Sequence, residues 1–268
     1  MAISSVVGQR KGIQSIEVGV AVLECIERAG APIALSRIAQ SCGMTPSRAH
    51  FYLVSLNRVG LVSQDTLGGL YRLGPAALRL GLSALAQCDV LELARNEMAR
   101  LSALTGDTVF LSVWGHNGAT VISRFDGVNV APLAVRVGAV MPLAPSATGR
   151  VFLAWMPRGH TSGVLRRENA QAPPRARLDR AQIDRLVETV KRDGIALTPG
   201  AVAAEMIAIA APVFDHTQQL QCVLTVTERA QQLDAAGRQA IAEALRQSAE
   251  AVSRAAGYGI GRKLPPRQ

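Results

Sequence analysis

At 268 residues, 49% of them hydrophobic and 18% charged, the chain is long enough for two domains with separate cores. Its net charge of +9 favours a polyanionic partner. No uninterrupted apolar run spans a bilayer, and residues 1–14 lack the apolar core of a secretory signal, so a cytoplasmic, reduced protein without membrane contact is expected. The four cysteines, Cys25, Cys42, Cys88 and Cys222, have no CxxC spacing and are not interleaved with histidine at metal-ligand distances; neither a disulfide framework nor a metal site is indicated.

Residues 1–14, with Arg10 and Lys11, read as a flexible basic arm. A short helix is predicted from about Ser36 to Cys42, followed by a tight turn at Gly43. Thr45 suits an N-cap and Pro46 the first position of a second helix, where a missing N–H costs nothing. Ala49, Leu53 and Leu56 recur at helical spacing as a buried stripe, and Gly60 stops the helix. Its other side carries Ser47, Arg48, Phe51, Tyr52, Ser55 and Arg58. Leu61 to Ser63 then reads as a strand, Asp65 to Gly69 as a turn, and Leu70 to Leu73 as the returning strand.

Helix, turn, helix and hairpin in that order make a winged helix-turn-helix, which sets its second helix into the major groove of double-stranded DNA. The expected contact set is Thr45, Ser47, Arg48, His50, Phe51, Tyr52, Ser55, Arg58 and, on the wing, Arg72. Hydroxyl and guanidinium groups bond phosphates and base edges, and Phe51 suits a thymine methyl. Two members have alternatives: His50 packs between the helices or donates to a phosphate, and Arg72 reaches a phosphate or stays solvated.

Pro75 to Gln87 reads as a linker helix whose Leu78, Leu82 and Leu85 form an apolar stripe, covered either by its own chain or by a second copy. Beyond it, residues 90–258 alternate between helix and strand patterns. Helices are predicted at Leu91–Leu104, after Ser146, at Asp179–Arg192 and at Asp234–Ala256; strands are predicted at Thr108–Val113, Thr120–Arg124, Ala134–Val137, Ile195–Thr198, Met206–Phe214 and Gln221–Thr227. Residues 259–268 read as a flexible tail. The basicity is spread over both halves, +4 in residues 1–88 and +5 in the remainder. Arg166, Arg167, Arg175, Arg177, Arg180 and Arg185 cluster in the second half, as a solvated face or a second nucleic-acid contact.

On the strand from Leu220 to Thr227, alternation sends Leu220, Cys222, Leu224 and Val226 to one face and Val223, Thr225 and Thr227 to the other, where two hydroxyls suit a pocket wall. Free N–H groups at Ala147, Thr148 and Gly149, in the first turn after Ser146, suit a carboxylate, and Gly149 allows close approach. Arg150 either reinforces the anion site or makes a surface ion pair. His116, His160 and His216 fall in loops with no nucleophile and carboxylate around them, and Asp107, Asp126 and Asp215 read as turn or strand-end residues.

Leu35-Ser36-Arg37-Ile38-Ala39, Ser47-Arg48-Ala49-His50 and Tyr71-Arg72-Leu73-Gly74-Pro75 resemble the DNA-binding half of the IclR family of bacterial transcription regulators. Pro142-Leu143, Ala147-Thr148-Gly149-Arg150 and Ala210-Ala211-Pro212-Val213-Phe214-Asp215 resemble its other half, in family order. The resemblance implies an α+β chain: a winged helix-turn-helix over 15–74, a linker helix over 75–89 and a GAF-like α/β effector-binding domain over 90–258. It implies a homodimer or tetramer and an effector cavity lined at Ala147, Thr148, Thr198, Ala208, Thr225 and Thr227; with no metal spacing and no phosphate-cradling glycine-rich loop, no cofactor is expected. The chain departs from the family's common Arg at Phe51, Lys at Arg150 and Pro-Gly at Ala204-Glu205. The expected function is a DNA-binding regulator whose operator affinity responds to a small carboxylic acid; the alternative is a small-molecule enzyme fused to a DNA-binding head.

Overall fold

The computed structural model describes residues 12–66, 68–129, 135–199, 206–229 and 234–259, in two compact units that divide between Gln87 and Cys88. The basic arm apart from its last three residues, the tail beyond Gly259, Ala134, and the loop at Ala204-Glu205 lie outside the described residues.

In the first unit, helices α1 (Gln14–Ala29), α2 (Leu35–Ser41) and α3 (Pro46–Arg58) are followed by strands β1 (Val62–Gln64) and β2 (Tyr71–Leu73), then helix α4 (Pro75–Gln87). Helix α1 adds to the elements expected from the sequence. Gly43 takes φ +61° between α2 and α3, a left-handed conformation that glycine adopts without strain. Thr45 caps α3, its side chain accepting from the Arg48 N–H at 3.3 Å, and Pro46 opens the helix. Ala49 and Leu53 are fully buried; Leu53 packs with Val22, Cys25, Ile26, Ile38, Val62 and Tyr71. Strands β1 and β2 pair antiparallel with Ser63 opposite Arg72, one residue later at the start than the sequence pattern suggests.

The second unit is a six-stranded antiparallel sheet in the order β5-β4-β3-β8-β7-β6. Its strands are β3 (Thr108–Gly115), β4 (Gly118–Phe125), β5 (Val140–Met141), β6 (Ala196–Pro199), β7 (Met206–Phe214) and β8 (Leu220–Arg229). Helices α5 (Val90–Thr105) and α9 (Ala235–Ala255) cover one face, where Met98, Leu101, Leu111, Ile209, Leu224 and Leu245 form a core. Helices α6 (Ala147–Trp155), α7 (Arg158–Gln171) and α8 (Arg180–Asp193) lie on the other side, where Phe110, Val121, Leu143, Phe152 and Val223 form a second core. Two layers of helix around one sheet therefore give each face its own apolar core.

Three details differ from the sequence expectation. Val135 to Val137 form no strand; the chain turns at Gly138, φ +90°, and the strand is Val140–Met141, pairing Met141 with Ala119. A bulge at Gln221 lets Val213 pair with Cys222 and Phe214 with Leu220, so Leu220 joins the core of Val223 instead of that of Cys222. Helix α7 occupies a stretch whose only buried residues are Thr161 and Val164.

Candidate functional site

The solvent face of α3 carries Ser47, Arg48, His50, Phe51, Ser55 and Arg58, all exposed; Thr45 at its cap and Arg72 on β2 are exposed as well. His50 is thus not packed between helices. Tyr52 differs, being half-buried against the core of this unit beside Gly19 of α1. The Ser55 hydroxyl donates to the Phe51 carbonyl at 3.1 Å, a bond within the helix that a competing acceptor must displace. Phe51 is 71% exposed, an apolar surface that α3 does not bury.

In the second unit, a pocket opens between the start of α6 and the sheet. Its wall includes Ala147, Thr148, Thr198, Ala208, Thr225 and Thr227, together with Ser146 and the apolar side chains of Phe110, Val121, Val135, Met141 and Met206. Hydroxyls converge from three elements. Thr148 Oγ1 lies 2.9 Å from Thr225 Oγ1, and Thr227 Oγ1 donates to the Thr108 carbonyl at 3.4 Å. Thr198 Oγ1 is buried and has no hydrogen-bond partner among the described residues.

Ser146 caps α6 by accepting from the Gly149 N–H at 3.0 Å, which leaves the Ala147 and Thr148 N–H groups of the first turn without a recorded acceptor among the described residues. Among the described residues none of the lining side chains is ionisable, so from these residues an anion would be balanced by the helix dipole, amides and hydroxyls. The cavity volume is about 30 Å³, room for one or two water-sized groups. The flexible thioethers of Met141 and Met206 can yield to a larger guest.

Gly149 is not part of this wall. A Cβ there would lie 2.3 Å from the Pro142 carbonyl oxygen and 2.4 Å from Leu143 Cα, so the missing side chain serves close packing of α6 on the preceding loop. Arg150 also lies outside the lining. Its guanidinium donates to the Ala144 carbonyl at 2.8 Å and the Leu197 carbonyl at 3.4 Å, and no ion pair involves it among the described residues. Burial lowers its pKa from the usual arginine value.

On the opposite face of the sheet, the buried Asp107 carboxyl lies beside the half-buried Glu228 carboxyl. Asp107 Oδ2 and Glu228 Oε2 have no hydrogen-bond partner among the described residues, and the two carboxyls are close enough to shift each other's titration. Burial, with the neighbouring Asp107 charge, pushes the Glu228 pKa up to about 7; burial also raises that of Asp107. Asp215 instead organises the β7 to β8 turn, accepting from the Thr217 N–H at 2.8 Å and the Gln219 N–H at 3.1 Å. No cluster of three or more metal-ligating side chains occurs among the described residues.

Two family profiles cover nearly all of this architecture. The IclR helix-turn-helix domain matches residues 15–66, and the profile described as bacterial transcriptional regulator IclR C-terminal matches residues 82–254. The chain belongs to the IclR family. It is a transcriptional regulator of that family with a helix-turn-helix DNA-binding domain. IclR relatives align along nearly the whole chain. The glycerol operon regulatory protein of Streptomyces griseus is 30% identical over 254 residues, covering 93% of this chain and 98% of the relative. The regulator XynR of Escherichia coli K12 is 24% identical over 92% of this chain and 98% of its own length.

Among solved structures, that of HmgR from Pseudomonas aeruginosa superimposes with a TM-score of 0.83 at 35% identity, covering 93% of this chain and all of HmgR. An IclR homologue from Microbacterium hydrocarbonoxydans, complexed with 4-hydroxybenzoate, shares the fold with a TM-score of 0.53 at 23% identity, over 90% of this chain and 98% of the homologue.

The sequence pattern does not identify Phe110, Val121, Met141 and Met206 as pocket residues. They come from four separate strands, β3, β4, β5 and β7, and nothing in their spacing marks a shared cavity.

Proposed function

We propose that this IclR regulator binds its operator through the exposed face of α3 and the Arg72 wing, and that a small carboxylic acid in the α6 pocket sets operator affinity. The observation carrying this reading is the pocket chemistry. A buried Thr198 hydroxyl with no partner among the described residues lies in the same wall as the first-turn amides of α6 and the Thr148/Thr225 pair. An unpaired buried hydroxyl is unfavourable by roughly 1–3 kcal/mol, a deficit that a ligand oxygen offsets. The carboxylate is assigned to the Ala147 and Thr148 amides, and the apolar body to Phe110, Val121, Met141 and Met206. The homologue holding 4-hydroxybenzoate supports an aromatic or aliphatic acid of that general class.

The regulator acts as a homodimer or tetramer in the bacterial cytoplasm. The support for assembly is α4, where Leu78, Leu80 and Leu82 are each more than half exposed. Two-fold pairing would present two reading helices to successive half-sites. An acid preferring one assembly geometry shifts operator affinity by linkage, with a coupling of about 1–3 kcal/mol corresponding to roughly five- to 150-fold.

A thermal-shift screen of small carboxylic acids, followed by gel-shift titration of a duplex selected from a random-sequence pool, tests the whole reading. One acid is expected to raise the melting temperature and change duplex affinity, while Arg48→Ala weakens the duplex and leaves the acid bound. Unchanged duplex affinity on Arg48→Ala would remove α3 from the interface. Chemical conversion of the acid by the protein, read by mass spectrometry, would replace the sensor with an enzyme.

A further inference from the structure

A larger cleft lies between α6, α7 and α8, sharing no lining residue with the α6 pocket among the described residues. Its volume is about 510 Å³, within the range of sites for organic ligands. The two helices line it with matching stripes. Along α8, Arg180, Ile183, Asp184, Val187 and Lys191 recur at three- and four-residue spacing; along α7, Arg158, Thr161, Ser162, Leu165 and Arg166 do the same. Leu153 of α6 completes an apolar floor with Leu165, Ile183 and Val187.

Among the described residues the charge around this floor is one-sided: four cations and a single carboxylate. Asp184 is already engaged, bonded to Arg158 at 2.6 Å and lying 3.8 Å from Arg180. Arg166 and Lys191 have no acidic partner among the described residues, and the Lys191 ammonium sits 5.8 Å from the centroid of the Trp155 ring. Long cationic side chains can keep their charge at the rim of an apolar cleft.

We propose that this cleft is a second ligand site, built for an amphipathic organic anion: a carboxylate or sulfonate head held by Arg166 and Lys191, with a hydrocarbon body on Leu153, Leu165, Ile183 and Val187. A nucleic acid backbone would use the cations and leave the apolar floor unused, whereas an amphipathic anion uses both. The site is independent of the effector reading. It nevertheless shares helix α6 with that pocket, which has Ala147 and Thr148 at one end of the helix while Leu153 reaches the cleft near the other.

Dodecanoate, below its micellar concentration and titrated calorimetrically into the full chain, is the probe. Binding of one dodecanoate per chain is expected, with dodecanol, of equal tail and no charge, at least roughly tenfold weaker. Arg166→Glu combined with Lys191→Glu should weaken dodecanoate to a similar degree. Val187→Trp, which fills the cleft without altering charge, should do the same, and Thr198→Val should leave this binding unchanged; circular dichroism melting checks that each variant folds. Equal binding of dodecanol and dodecanoate, or undiminished binding by the charge-reversed chain, overturns the proposal. So does loss of binding on Thr198→Val, which would relocate the probe to the α6 pocket. Loss of non-specific duplex affinity in the charge-reversed chain with dodecanoate binding intact would assign these cations to nucleic acid and overturn it too.

Discussion

The hydroxyls of Thr148 and Thr225 meet at 2.9 Å, joining the first turn of α6 to strand β8 across the pocket wall. Each hydroxyl both donates and accepts, so the pair can turn a donor toward a carboxylate or an acceptor toward a ligand hydroxyl. Thr198 has no such partner among the described residues. The two positions therefore respond differently to removal of oxygen. Thr225→Val leaves the Thr148 hydroxyl buried and unpaired, at a stability cost of about 1–3 kcal/mol. Thr198→Val removes a group that is already unpaired, so unfolding without ligand is expected to move by less than about 1 kcal/mol while acid affinity falls roughly tenfold. Denaturant unfolding with and without acid separates the two; an equal stability loss at both positions would contradict the assignment.

Gly149→Ala tests a different claim, that this glycine serves packing. Its new Cβ would press on the backbone of Pro142 and Leu143, which cannot move aside as a flexible side chain would. A loss of roughly 1–3 kcal/mol in unfolding free energy is expected, with the pocket affected only through displacement of α6. Undiminished stability with lost acid binding would return Gly149 to the pocket wall.

Elements with strong periodicity or explicit capping are legible in the sequence. Thr45-Pro46 opens α3, and Ala49 and Leu53 recur on its buried side. The errors come from places where tertiary pairing decides. Val135 and Val137 have strand propensity, but Gly138 turns the chain before any ladder forms. Gln221 carries no local mark of a bulge, because the extra residue is defined by its partners on β7. Helix α7 buries too few residues to raise an apolar stripe above its polar background. Gly149 is a related case: a sequence shows that a Cβ is absent, and only coordinates show whether a ligand or a carbonyl occupies the space. Thr225 and Thr227 are legible from strand alternation and Thr148 and Thr198 from family resemblance, whereas the methionines and Phe110 meet them only in three dimensions.

Phe51, exposed midway along α3, is expected to read a thymine methyl in the operator. The contact is worth about 1 kcal/mol per buried methyl, or roughly fivefold in affinity. Replacing thymines by deoxyuridines one at a time removes only that methyl. One position should weaken the native chain by this factor and leave Phe51→Ala unaffected. Additive losses from the base and protein changes at every position would show that the ring and the methyl do not touch.

Leu78 and Leu82, at 66% and 58% exposure on α4, should be buried between chains if this helix pairs copies. Leu78→Glu with Leu82→Glu would then place four carboxylates in a two-fold interface. Sedimentation should report a shift toward monomer, and cooperative binding to a two-half-site duplex should fall while a single half-site retains its affinity. An unchanged sedimentation coefficient would mean that these leucines face solvent in the assembly or are covered by their own chain.

The Asp107 and Glu228 pair predicts the direction of the pH dependence of folding. With its folded-state pKa raised to about 7, above the ordinary glutamate value of 4.5, Glu228 binds its proton more tightly in the folded chain than in the unfolded one. Its contribution is therefore fully present below about pH 4.5 and lost as pH rises toward and through about 7; the raised Asp107 acts in the same direction. After allowance for partial solvent screening, the change is on the order of 1–2 kcal/mol. Glu228→Gln keeps a donor for Asp107 and removes the titration. Unfolding free energy measured between pH 5.5 and 8 should fall less steeply in this variant by about that amount. Identical slopes for the two chains would show that the pair does not hold its proton in the folded state.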